Sequence, residues 1–94
     1  MACIIALTLA TTLAVREPPR IALVRRDTII QARDPLRTEI DPRPDEPKER
    51  RPGLRATVFL PSQTVLYVTD TKEDVMLHAP CLSPRVEAES RPLP

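Results

Sequence analysis

His78 is the only histidine of this 94-residue chain, four residues after Asp74 and three before Cys81. Residues four apart share a helix face, so these three side chains are the one place where a nucleophile and a base can be drawn together. Pro80 separates His78 from Cys81, and no oxyanion donor can be named beside them. The expected role of His78 is therefore a helix-end residue near an opposite charge. As a metal site the trio lacks a fourth ligand and any recognised spacing. The paired carboxylates Asp45/Glu46 and Glu73/Asp74 lie in charge-mixed, solvated stretches with nothing to raise a pKa. With Gly53 as the sole glycine, a glycine-rich phosphate loop is excluded. The sequence thus predicts no catalytic, cofactor-binding or metal-binding residue, no cofactor and no evident small-molecule substrate; the chain reads as a protein that is not an enzyme.

Charge gives little more. Fourteen basic residues oppose thirteen acidic ones, for a net charge of +1. From Arg16 to Arg55 there are eleven basic and eight acidic residues, and from Ala56 onward three and five. Neither half makes the single-sign field of a dedicated nucleic-acid binder. Arg25–Arg26 and Arg50–Arg51 with Arg55 are the candidate phosphate contacts, but acids flank them and no aromatics interleave to stack on bases. Nucleic acid is accordingly a weak alternative. Pro44 and Pro47 match the PxxP spacing of polyproline ligands, with Glu49 where such grooves want a base, so a stiff spacer is the plainer reading.

The elements around these residues read as mainly β. From Cys3 to Val15 the odd positions carry Ile5, Leu7, Leu9, Leu13 and Val15 while the even ones after Ile4 carry Ala and Thr, the period of a strand. Two other readings remain for this stretch: a secretory signal peptide over residues 1–14, although no basic residue precedes its apolar run, and a helix on the Ile5/Leu9/Leu13 stripe. The run is too short to span a bilayer, and no transmembrane segment is expected. Ile21–Ala32 is either one long strand paired with the first about Pro18–Pro19, with Val15 opposite Ile21, Leu13 opposite Leu23 and Leu7 opposite Ile29, or a strand, a tight turn at Arg25–Thr28 and a second strand. In the long hairpin Leu9 faces Asp27, a poor pair.

Residues 1–33 therefore form a β-hairpin region. Residues 34–55, with five prolines and twelve charges, form a proline-rich charged linker expected to be extended, solvated and mobile, anchored by Leu36 and Ile40 if at all. Residues 56–79 return to β character: Ala56–Leu60, a turn at Pro61–Ser62, then Gln63–Thr69 with apolar residues on both faces. Asp70-Thr-Lys-Glu73 resembles a capped helix start, predicting a short helix over 71–79 that buries Val75 and Met76; a strand over Val75–His78 is nearly as good a reading. Residues 80–94 form an irregular tail.

A chain of this size buries a thin core, and Phe59 and Tyr67 are its only aromatic residues. Two cysteines at opposite ends are not a disulfide framework. Cys3 and Cys81 could pair, but two separate thiols are expected, with a reducing, cytoplasmic setting slightly favoured over secretion. The sequence thus describes one domain at most: a small accessory or structural protein acting by protein–protein contact, through self-association or docking on a larger assembly. Its interaction or core residues are expected to be Ile5, Leu7, Leu9, Leu13, Leu23, Val65, Leu66, Tyr67 and Val68.

Overall fold

The computed structural model describes residues 3–82. It is mainly β, with β1 (Ile4–Thr8), β2 (Ile21–Arg25), β3 (Gln31–Arg33), β4 (Ala56–Leu60) and β5 (Thr64–Val68). The helical pieces are short: a 3-10 turn at Arg26–Thr28, α1 (Arg37–Ile40), a second 3-10 turn at Pro47–Glu49 and a π turn at Asp74–His78. β1 and β2 form a two-stranded antiparallel sheet, and β3, β4 and β5 a three-stranded one in the order β3–β4–β5. The two sheets are stitched where β1 ends. Leu9 bridges Val68, the Ala10 amide donates to the Tyr67 carbonyl at 2.7 Å, and the Thr69 amide donates to the Thr8 carbonyl at 2.8 Å.

The parity of the first strand holds. Ile5 and Leu7 are fully buried and meet Val24, Ile29, Ala56, Val58, Val68 and Val75 in one aliphatic core. Its partner register differs from the long-hairpin expectation. Ile5 faces Val24 and Leu7 faces Ala22, instead of Leu7 facing Ile29. The slip is odd, and since strand side chains alternate, an odd slip turns the other face of β2 inward. Val24 is buried while Ile21 and Leu23 are 57% and 67% exposed. The reason lies in the connection. Residues 10–15 do not continue the hairpin because other partners hold them: the Leu13 amide donates to the Arg50 carbonyl and the Ala14 amide to the Lys48 carbonyl, both at 3.0 Å. Leu13 and Val15 are left exposed. Arg25–Thr28 does turn, yet β2 and β3 belong to different sheets, so the turn makes no hairpin.

β4 and β5 follow the sequence reading, joined by a tight loop in which Ser62 and Gln63 adopt positive φ of 64° and 59°. Two left-handed residues suit the right-handed twist of a hairpin. Residues 71–79 take the helical alternative. Thr71, rather than Asp70, supplies the cap: its hydroxyl accepts from the Asp74 amide at 3.1 Å. Asp70 instead accepts from the Thr8 amide at 2.8 Å. Val75 is buried as expected, but Met76 faces outward, because the last bond widens to Ala79 N–H onto the Asp74 carbonyl at 2.7 Å and rotates the turn. The Arg26 guanidinium holds that turn to the core, donating to the carbonyls of Val75 at 3.0 Å and Ala79 at 2.5 Å.

Cys3 and Cys81 are not separate thiols. They form a disulfide across 78 residues of sequence, with Cα atoms 4.9 Å apart. The pairing follows from the placement of the π turn, which returns the chain to the start of β1, where the Leu82 amide donates to the Ile4 carbonyl. A loop this long restricts the unfolded chain by about 4 kcal/mol in the chain-entropy account. Replacing both cysteines by alanine, or reducing the bond, should lower the thermal midpoint sharply in calorimetry; an unchanged midpoint would show that the bond contributes nothing to the fold.

Candidate functional site

The three-stranded sheet has two faces of different chemistry. Its core face carries Ala56, Val58 and Val68, all fully buried. Its other face carries Thr57, Phe59, Val65 and Tyr67, paired Thr57 with Tyr67 and Phe59 with Val65. Here Glu39 and Arg51 of residues 34–55, with Arg33 of β3, lie over the sheet as a polar cover. The Glu39 carboxylate is its centre. Oε1 accepts from Arg33 Nη1 at 2.8 Å, from the Leu36 amide at 2.7 Å and from the Thr57 hydroxyl at 2.9 Å, and Oε2 accepts from Arg33 Nη2 at 3.0 Å. Arg51 Nη1 donates to the Glu39 carbonyl at 2.9 Å. The two arginines cover the two aromatics, Arg33 at 5.1 Å from the Phe59 ring centre and Arg51 at 4.7 Å from that of Tyr67, in cation–π range. Leu36 is exposed and does not anchor the segment; Leu54, which is buried, does.

Burial alone would raise the Glu39 carboxyl, but hydrogen bonds from Arg33, the Leu36 amide and Thr57, with the Arg33 charge, outweigh it and hold the group below its ordinary value of 4.5. The same carboxylate raises the Arg33 guanidinium. A depressed carboxylate stabilises the fold above its unfolded pKa, and that contribution is lost as pH falls through the folded value. Glu39→Gln should therefore cost about 1–3 kcal/mol at neutral pH and flatten the stability loss between about pH 5 and the folded pKa. Denaturant titrations of both proteins across that window check it; an equal acid slope in the variant would contradict the assignment.

The trio that suggested catalysis does not assemble. His78 Nδ1 lies 3.6 Å from Asp74 Oδ1 with both side chains largely exposed, and Cys81 is consumed by the disulfide. No group of three metal-ligating side chains occurs among the described residues, and no helix among them is long and apolar enough to cross a membrane. Four of the five candidate phosphate contacts have internal partners, while Arg55 is exposed. Arg25 pairs with Asp27 at 2.9 Å and Arg50 with Asp41 at 3.4 Å, while Arg26 and Arg51 hold carbonyls. Pro44 sits in a turn closed by the Glu46 amide on the Arg43 carbonyl at 2.9 Å, and Pro47 begins a 3-10 turn, so the PxxP stretch is not an extended polyproline helix.

Two surfaces remain. The first is the outer side of the β1–β2 sheet, where Ile4, Ala6 and Thr8 of β1 share a face with Arg25, Leu23 and Ile21 of β2. The bonds Leu9 N–H to the Arg20 carbonyl and Arg26 N–H to the Cys3 carbonyl set the alternation of the antiparallel ladder. They direct the backbone of Ala22 and Val24 toward β1 and that of Ile21, Leu23 and Arg25 toward the open edge. The second is a cleft of about 480 Å³ where the 9–20 loop diverges from β5, floored by Leu9, Val65, Leu66 and Tyr67, with Glu17, Arg20 and Arg51 also lining it.

Of the nine residues singled out from sequence, Ile5, Leu7 and Val68 are core; Leu9 and Leu66 pack against that core and, with Val65 and Tyr67, line the cleft; Leu23 lies on the open sheet and Leu13 is exposed on the loop. Both faces of β5 were expected to be covered, but Val65 is 37% exposed because the cleft lies beside it. Ile21, Glu39 and Thr57 were missed. Nothing local marks Ile21 or Glu39: Glu39 does accept from the Leu36 amide, but leucine lacks the side-chain acceptor that makes a capping box readable in sequence. The chain matches no protein-family model, no curated protein and no solved structure.

Proposed function

We propose that this chain is a small non-catalytic accessory or structural protein that acts by protein–protein contact, associating with its own copy or docking on a larger assembly. One observation carries the reading: β2 is an unpaired edge strand whose outward face exposes Ile21 and Leu23 ahead of the terminal Arg25. Native edge strands are usually blunted by charged side chains, proline or a bulge; in Ile21–Arg25 the only such residue is Arg25 at the end, where it pairs with Asp27, so Ile21 to Val24 are left unguarded. Fully burying an exposed Ile or Leu contributes about 1.5–3 kcal/mol, so covering the exposed part of Ile21 and Leu23 on two partners supplies a driving force that main-chain hydrogen bonds must supplement against the cost of association. A sheet edge adds a strand through main-chain hydrogen bonds, with alternate side chains setting the fit.

Leu23→Lys leaves the core untouched and places a charge on that face. Light scattering over a dilution series should show the wild-type chain associating and the variant monomeric with unchanged circular dichroism. A wild-type chain that is monodisperse, monomeric and fully folded at every concentration would overturn self-association. Failure of Leu23→Lys to weaken capture of a native partner would overturn docking through this edge.

The disulfide lends support to an exported protein as the second reading, since such bonds persist in oxidising compartments. The version in which residues 1–14 are removed conflicts with the fold, because Cys3, Ile5 and Leu7 would leave with them. Intact mass of the protein from its source should therefore retain Cys3, two mass units below the reduced value. A mass lacking about the first fourteen residues would contradict this.

A further inference from the structure

The cleft beside β5 combines an apolar floor with unequal charge at its wall. Its volume, about 480 Å³, falls within the roughly 300–1,000 Å³ of small-molecule sites, which pair an apolar lining with a few polar groups. Of the charged residues that line it, two are arginines, Arg20 and Arg51, and one is an acid, Glu17. Arg51 is fixed by the Glu39 carbonyl and the Tyr67 ring, and that single backbone bond leaves further N–H donors of its guanidinium for a ligand. The side chain of Arg20 makes no hydrogen bond or ion pair among the described residues.

We infer that the cleft binds a small amphipathic carboxylate, its apolar chain against Leu9, Val65 and Leu66 and its carboxylate between Arg20 and Arg51. The charge balance selects an anion: a ligand carboxylate takes up the excess positive charge, whereas an ammonium would meet two arginines and one acid. A charge-assisted hydrogen bond gives the head group its hold, and the tail removes the floor from water. The inference does not rest on the β2 edge, because neither Ile21 nor Leu23 lines the cleft.

Tyr67 makes the test direct. It is the only tyrosine and the chain has no tryptophan, so intrinsic fluorescence reports on the cleft alone. Titration of the full oxidised chain with decanoate should give a saturable change. Decanol and decylamine should bind at least about tenfold more weakly, the ratio expected for one charged hydrogen bond. Arg20→Gln should weaken decanoate about tenfold, while Glu17→Gln should tighten it; a merely structural role for either residue would not move affinity in opposite directions. No saturable change with decanoate below its micellar range would overturn the inference. So would equal binding of decanol, or indifference to both substitutions while circular dichroism stays unchanged.

Discussion

The fold depends on where its first strand is placed. β1 pairs with β2 along its length, and its end pairs with the end of β5. Its start is tied to the last described residues by the Cys3–Cys81 bond and the Leu82 amide. Each of the two sheets alone is small, and a two-stranded hairpin is at best marginal in water. Their shared core is an aliphatic cluster joining Ile5 and Leu7 of β1 to Val24, Val58, Val68 and Val75. Without β1 inserted at that point, neither sheet has an apolar surface to pack against.

The opposite face of the larger sheet shows how a chain with two aromatics covers a second surface. A further hydrophobic layer is replaced by a carboxylate and two arginines. Glu39 satisfies the buried hydroxyl of Thr57, and the arginines spread flat over Phe59 and Tyr67. Arginine suits this because its planar guanidinium stacks and donates in fixed directions at once. No buried side-chain polar atom among the described residues lacks a partner, which a half-satisfied network would not achieve. Within the proline-rich stretch, Glu39 and Arg51 are thus the residues that reach this face.

What the sequence reveals follows the range of the interactions. β4, β5 and the alternation of β1 are legible because strand periodicity is written in neighbouring residues. The cap near Thr71 is legible for the same reason, with an error of one residue because Asp70 had a distant partner in Thr8. The β1–β2 register was not legible. It is decided by where Ala10, Leu13 and Ala14 find carbonyls, on Tyr67, Arg50 and Lys48, and nothing local to the hairpin encodes those partners. The disulfide and the polar cover were hidden likewise, since each needs the assembled sheet to bring its members together. At the cleft, Leu9, Val65, Leu66 and Tyr67 were among the nine residues singled out, but nothing in the sequence grouped them, because their meeting place is made by the loop that leaves the hairpin.

The central claim is that β2 turns Val24 inward and leaves the backbone of Ile21 and Leu23 at an open edge. Residue-resolved amide hydrogen exchange on the dilute oxidised protein tests it most directly. The account predicts slow exchange at Ala22 and Val24 beside fast exchange at Ile21 and Leu23, with the latter pair slowing only as concentration rises. Protection of Ile21 and Leu23 at high dilution, with Ala22 and Val24 exchanging freely, would mean the opposite register and would contradict the account.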